Sequence, residues 1–145
     1  MLTRLVYASY AVEVMHEGLI QGILEQSRAR NPEFGVTGVL CVDPSRDLFL
    51  QALEGARTAV NQLYANIVRD PRHTQVTLLH YEEIAARSFA AWRMGSIDLG
   101  KINPSVVLRF SPTEHFDPLT TPGAAALALI QELTAGGPVS TRGDR

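Results

Sequence analysis

The chain has 145 residues, 46% of them hydrophobic, and a formal net charge of −2, which suits one globular domain. Its 13 lysines and arginines form no run, so the electrostatic footprint of a nucleic-acid-binding protein is missing. The single cysteine, Cys41, excludes an internal disulfide and fits a reducing cytoplasm, and no apolar stretch approaches the roughly 20 residues that span a bilayer.

Residues 2–9 alternate around Leu5, Val6 and Tyr7 and predict a first strand, entered from Met1 without a signal-peptide pattern. Residues 16–30 put Leu19, Ile20, Ile23, Leu24 and Ser27 on one helical stripe. Asn31-Pro32 is expected to end that helix, because the residue before a proline is pushed out of the helical region. Residues 35–42 predict a second strand, Asp43 to Asp47 a turn, and residues 48–53 a third strand that closes a hairpin. Gly55 is expected to break the chain before a helix over 57–69, whose stripe is Val60, Leu63, Tyr64 and Ile67. Asp70-Pro71-Arg72-His73 stops that helix, and residues 75–81 predict a fourth strand. Ala85 to Ala91 suggests a short helix and Trp92 to Ile97 a fifth strand. A helical turn near Pro104 to Phe110, a loop through Pro122 and a helix at 123–134 follow, with 135–145 expected to be disordered.

The order βαββαβ plus one strand predicts an α+β, ferredoxin-like fold with two helices on one sheet face. In the third strand Phe49, Gln51 and Leu53 share one face, and Leu48, Leu50 and Ala52 share the other. Both faces are apolar and need cover, so the C-terminal helices are expected to supply the second layer. The division is then a core at 1–98, a helical cap at 99–134 and a tail at 135–145. Three polar residues stand out: Tyr7 in mid-strand, Asn31 at a helix end, and Gln51 inside an apolar run. A buried amide left without a partner costs about 1–3 kcal/mol, so Tyr7 and Gln51 need partners.

Four stretches, in this order and spacing, resemble the BLUF family of flavin-binding blue-light sensors. They are Leu5-Val6-Tyr7; Asn31-Pro32 with Gly35 to Leu40; Phe49 to Gly55; and Asp70-Pro71-Arg72-His73 followed by Arg87 to Met94. The resemblance covers residues 2–98, and the short remainder is similar to the single-domain members that carry no effector on the same chain. It implies an oxidised flavin (FAD, with FMN as the alternative) between the two core helices. Ile23 and Ile67 would pack on the ring, Phe49 would line the same pocket, and Asn31 would hydrogen-bond the ring edge. Asp70, Arg72 and His73 would lie beside the flavin, and Asn66 would stand where several members have a basic residue.

The resemblance also implies the mechanism. Excited flavin takes an electron from Tyr7, a proton follows, and recombination leaves the Gln51 amide rearranged, with flavin absorption shifted to the red. Trp92 and Met94, expected to share a face of the fifth strand, would pass the amide's state to the C-terminal helices. Ala8 stands where serine is frequent, the turn at 43–47 is longer than in compact members, and Tyr10 should point away from Tyr7. Output would go to a separate partner, a response-regulator-like protein or a cyclic-dinucleotide enzyme, from a cytoplasmic homo-oligomer. An acylphosphatase-like hydrolase would need an anion-cradling loop with an arginine after the first strand. Tyr10 to Val14 has neither glycine nor arginine, so the chain reads as a non-enzyme. A flavin-free interaction module of the same fold is the third reading, and Tyr7, Asn31 and Gln51 argue against it.

Overall fold

Apolar residues on both faces of the third strand demand two covering layers, and the fold supplies both. The computed structural model describes residues 1–136, apart from the side chains of residues 31–33. The elements are β1 (Leu2–Ala11), α1 (Glu17–Phe34), β2 (Thr37–Asp43), β3 (Leu48–Ala56), α2 (Arg57–Arg69), β4 (His73–Ile84), β5 (Gly95–Asp98), α3 (Pro104–Leu108) and α4 (Gly123–Ala135). They form a mixed sheet in the order β4-β1-β3-β2-β5. Neighbours pair antiparallel except β2 and β5, which run parallel. This is the expected ferredoxin-like α+β arrangement with one added strand.

On the inner face Leu5, Tyr7, Leu40, Phe49 and Leu53 pack with Leu19, Ile23 and Leu24 of α1 and Val60 of α2. On the outer face Val6, Ala8, Val39, Leu48, Leu50 and Ala52 pack with Val107 of α3 and Leu129, Ile130 and Leu133 of α4. Tyr10 lies on the outer side, away from Tyr7, as strand parity requires. No helix among the described residues is long and apolar enough to cross a membrane.

Several boundaries differ from the sequence expectations, each for a local reason. Helix α1 does not stop at Asn31-Pro32 but continues to Phe34. A proline in the last turn forfeits one bond of the ladder, and Gly35, at φ 65°, provides the left-handed stop. Gly55 is not a break, since β3 runs through it to Ala56. β2 starts at Thr37 rather than Gly35. β4 is longer than expected, from His73 to Ile84, and meets β1 through register shifts at Val6/Tyr7 and Ala8/Tyr10. Residues 85–91 are not a helix. The backbone N–H groups of Ser88 and Phe89 donate to the Glu54 carboxylate at 3.1 and 2.7 Å, so they are taken out of any helical ladder. β5 begins at Gly95 rather than Trp92. At the C-terminus, α4 reaches Ala135, and the expectation of disorder from there onward falls, for residues 137–145, outside the described residues.

Candidate functional site

Tyr7 and Gln51 face each other across the β1–β3 ladder. Both are buried, at 1% and 3% exposure, so each must find its partner inside the protein. The Tyr7 hydroxyl donates to Gln51 Oε1. The other end of the amide points at Met94, with Nε2 3.1 Å from Sδ. An amide nitrogen carries two hydrogens, so one remains for whatever lies above Gln51. Burial, then the Tyr64 hydroxyl and the Asp70 charge, push the Tyr7 pKa far above that of a free phenol. Tyr7 therefore holds its proton and acts as the donor in this pair. Tyr64 packs against it, with ring centroids 5.6 Å apart, and burial raises its own pKa too.

Above this pair a cleft of about 850 Å³, part of it open to solvent, lies between α1 and α2. Ile23 lines it from α1, and Leu63 and Ile67 from α2, with Tyr7 and Gln51 as the floor. Asp70, Arg72 and His73 close one end. Arg72 Nε donates to both Asp70 oxygens at 3.0 Å, and its Nη2 reaches Gln26 Oε1 on α1 at 2.7 Å. The Arg72 hydrogen bonds hold the Asp70 carboxyl below the usual carboxylate range, and they raise the Arg72 pKa in return. His73 Nδ1 lies 2.9 Å from Ser9 Oγ, and its burial depresses its pKa.

The sequence-predicted residues divide accordingly. Tyr7, Ile23, Gln51, Ile67, Asp70, Arg72 and His73 line the cleft, and so does Asn66, exposed at its mouth, where its side-chain oxygen accepts from Arg69 Nη2 at 2.8 Å. Phe49 does not line it. It is fully buried below, with its ring 5.0 Å from that of His73. Met94 is fully buried on the inner face, but Trp92 packs on the outer one. The expectation that the two share a strand face fails because both precede β5 and the chain bends between them. The Asn31 side chain lies outside the described residues. Gln26, Arg30 and Phe34 also line the cleft and were missed from sequence. The signal was present: the stripe that starts at Ile23 continues through 26, 27, 30 and 34 on the same helix face. His16, His80 and His115 instead pair with neighbouring glutamates.

Aliphatic side chains from both helices, a floor with an uncommitted amide donor and a rim that holds Arg30 and the Asp70–Arg72 pair suit a flat ring system with a polar edge. Fold and site together define a domain whose cleft suits a flat cofactor above a buried tyrosine–glutamine pair. The chain belongs to the BLUF family, matching the model of sensors of blue-light using FAD over residues 2–95. As a member it senses blue light with a bound flavin. It is 36% identical over 96 residues to the photoactivated adenylate cyclase subunit beta of Euglena longa, covering 66% of this chain and 11% of that protein. It is 33% identical over 99 residues to the blue light- and temperature-regulated antirepressor BluF of Escherichia coli (strain K12), covering 68% of this chain and 24% of that protein. The chain thus spans a quarter or less of these relatives. In the solved dark-state structure of BlrB, a BLUF protein, the match has a TM-score of 0.75 and 29% identity, over 93% of this chain and 96% of that one.

Proposed function

We propose that Tyr7, Gln51 and Met94 form the light-driven switch of this sensor and that its flavin is FAD. The observation that carries this is the unbroken line from the Tyr7 hydroxyl through the Gln51 amide to Met94 Sδ, buried beneath the cleft. Ile23, Leu63 and Ile67 would hold the ring system, Arg30 at the rim would favour the phosphate-bearing tail of a flavin, and the family's description as sensors of blue-light using FAD favours FAD. A bound oxidised flavin supplies blue-light absorption and, once excited, an electron acceptor.

Tyr7 keeps its proton in the dark and aims it at Gln51, so a proton leaving the phenol meets the amide oxygen first. Gln51 carries an acceptor and a donor on one group. Turned over, it would present N–H to Tyr7 and its carbonyl to Met94. A thioether sulfur accepts but cannot donate, so the Met94 contact is lost and the amide's state reaches the segment before β5. We further propose that the core at 1–98 senses and that the cap at 99–134, packed on the outer face, carries the output. That output would be a light-dependent contact with a separate cytoplasmic signalling protein, of the response-regulator or cyclic-dinucleotide class, made by a homo-oligomer; light-regulated signalling is what the cyclase and antirepressor relatives have in common. The chain itself acts as a sensor and not as an enzyme.

The test is an absorption spectrum of the FAD-loaded protein before and after blue light. A reversible shift to longer wavelength is expected, and it should disappear in Tyr7→Phe and in Gln51→Leu. A spectrum indifferent to light, or a photocycle intact in both variants, refutes the proposal.

A further inference from the structure

The segment from Ser88 to Met94 contains no helix or strand, yet β3 grips it at both ends. On the inner face Gln51 meets Met94 Sδ at 3.1 Å. Three residues further along β3, on the outer side, the Glu54 carboxylate is fully buried. It accepts from the backbone N–H of Phe89 at 2.7 Å and of Ser88 at 3.1 Å, and from Arg4 Nε at 2.8 Å. Arg4 also donates to Ser88 Oγ at 2.7 Å, and its guanidinium lies over the Phe89 ring, 5.8 Å from the centroid. Between the two grips Gly38 N–H donates to the Trp92 carbonyl at 3.2 Å, and at Met94 itself Arg28 Nε donates to the backbone carbonyl at 3.0 Å.

A buried carboxylate is tolerated when its lone pairs are filled by well-placed donors, and a fully satisfied buried network fixes one geometry. The backbone bonds along the segment, those to Glu54 included, would accept any residue in its place; the register is marked by the buried Phe89 ring under the Arg4 guanidinium and by the Ser88 hydroxyl on Arg4, and Glu54 holds Arg4 where it makes both contacts. Were the segment to slip by one residue, Arg93 or Gly95 would replace Met94 beneath Gln51. We propose that Glu54, held by Arg4, is the positioning residue that fixes the register of the 88–94 segment. It thereby delivers Met94 to the inner face and Trp92 to the outer one. The light-driven part of this inference rests on the switch proposed above; the positioning itself does not.

The experiment uses the whole FAD-loaded chain and Glu54→Gln, which keeps the side-chain shape but sets an amide donor against backbone donors. In the dark, backbone exchange at Ser88 and Phe89 should accelerate by about tenfold or more relative to wild type. Emission from Trp92, the only tryptophan in the chain, should move to longer wavelength as its packing loosens. Under blue light the absorption shift should persist, because Tyr7 and Gln51 are intact, but its dark decay should change at least about threefold. Folded Glu54→Gln protein with wild-type exchange, emission and decay overturns the inference. Should the variant not fold, wild-type exchange decides: protection at Ser88 and Phe89 well above that of their loop neighbours Arg87 and Ala90 supports the clasp, and equal exchange overturns it. A wild-type spectrum that ignores light refutes the switch, while the two dark measurements still judge Glu54.

Discussion

Removing the Tyr7 hydroxyl, the Gln51 amide, or both measures whether this pair is one unit. In Tyr7→Phe the ring keeps its place against Tyr64, with centroids 5.6 Å apart in the native protein. Only the donor to Gln51 Oε1 is lost. Gln51 is 3% exposed, so its carbonyl is left buried without a partner, at a cost of about 1–3 kcal/mol. In Gln51→Leu the Tyr7 hydroxyl loses its acceptor at 1% exposure, with a similar cost. The double variant removes both polar groups together, and such replacements are close to neutral. It should therefore be more stable than either single variant, with a coupling of at least about 1–3 kcal/mol between the two positions. The assay is urea unfolding in the dark, with flavin in the same excess over all four proteins, because a bound ligand adds its own stabilisation. Losses that add to within about 0.5 kcal/mol would mean that the two residues do not share a buried hydrogen bond.

Two further outcomes follow from burial and backbone geometry. The folded-state pKa of His73 lies below its ordinary value of 6.5 because burial disfavours the charged ring. Below that value the unfolded chain binds the proton more readily, so stability is complete above it and falls as the pH drops beneath it. His73→Gln should flatten this fall in urea midpoints taken between about pH 7.5 and 5, and an unchanged slope would refute the assignment. A Cβ at position 123 would stand 1.8 Å from the Leu79 carbonyl oxygen, whereas one at position 22 would meet nothing within 4 Å. Gly123→Ala should thus cost about 1–3 kcal/mol or more by lifting the start of α4 from β4. Gly22→Ala, inside α1, should gain about 0.5–1 kcal/mol. Thermal melts should show opposite signs, and a shared sign would refute the contrast.

The parts of the fold legible in the sequence are those set by local period. Alternation in β3 predicted two buried faces, and the stripes of α1 and α2 predicted which residues would meet the sheet. The errors lie where a distant group overrides a local signal. Residues 85–91 look helical, but Glu54, some 35 residues earlier, takes the Ser88 and Phe89 amides. Asn31-Pro32 looks like a helix end, but the left-handed Gly35 places the end later. The site was legible in Tyr7 and Gln51, polar groups in apolar strands whose register then set them opposite each other. Phe49 shares the expected face but not the cleft lining, because parity gives the face and not the depth: its ring packs against His73, which does line the cleft.

Depth also limits how the amide's state can leave the site. The inner-face neighbours of Gln51 along β3, Phe49 and Leu53, are fully buried, and close-packed side chains of this kind transmit little by continuous adjustment. Tyr7 is held in mid-strand with its proton committed to the amide. Among the described contacts of the amide, Met94 alone belongs to no regular element. The chain around it passes from the inner face to Trp92 on the outer face within two residues. In the switch proposed above, a rearranged amide would have its most compliant neighbour on a segment that reaches both sides of the sheet. On that proposal the segment would carry a displacement outward because its far end is pinned, at Ser88 and Phe89, to the same strand that bears the amide.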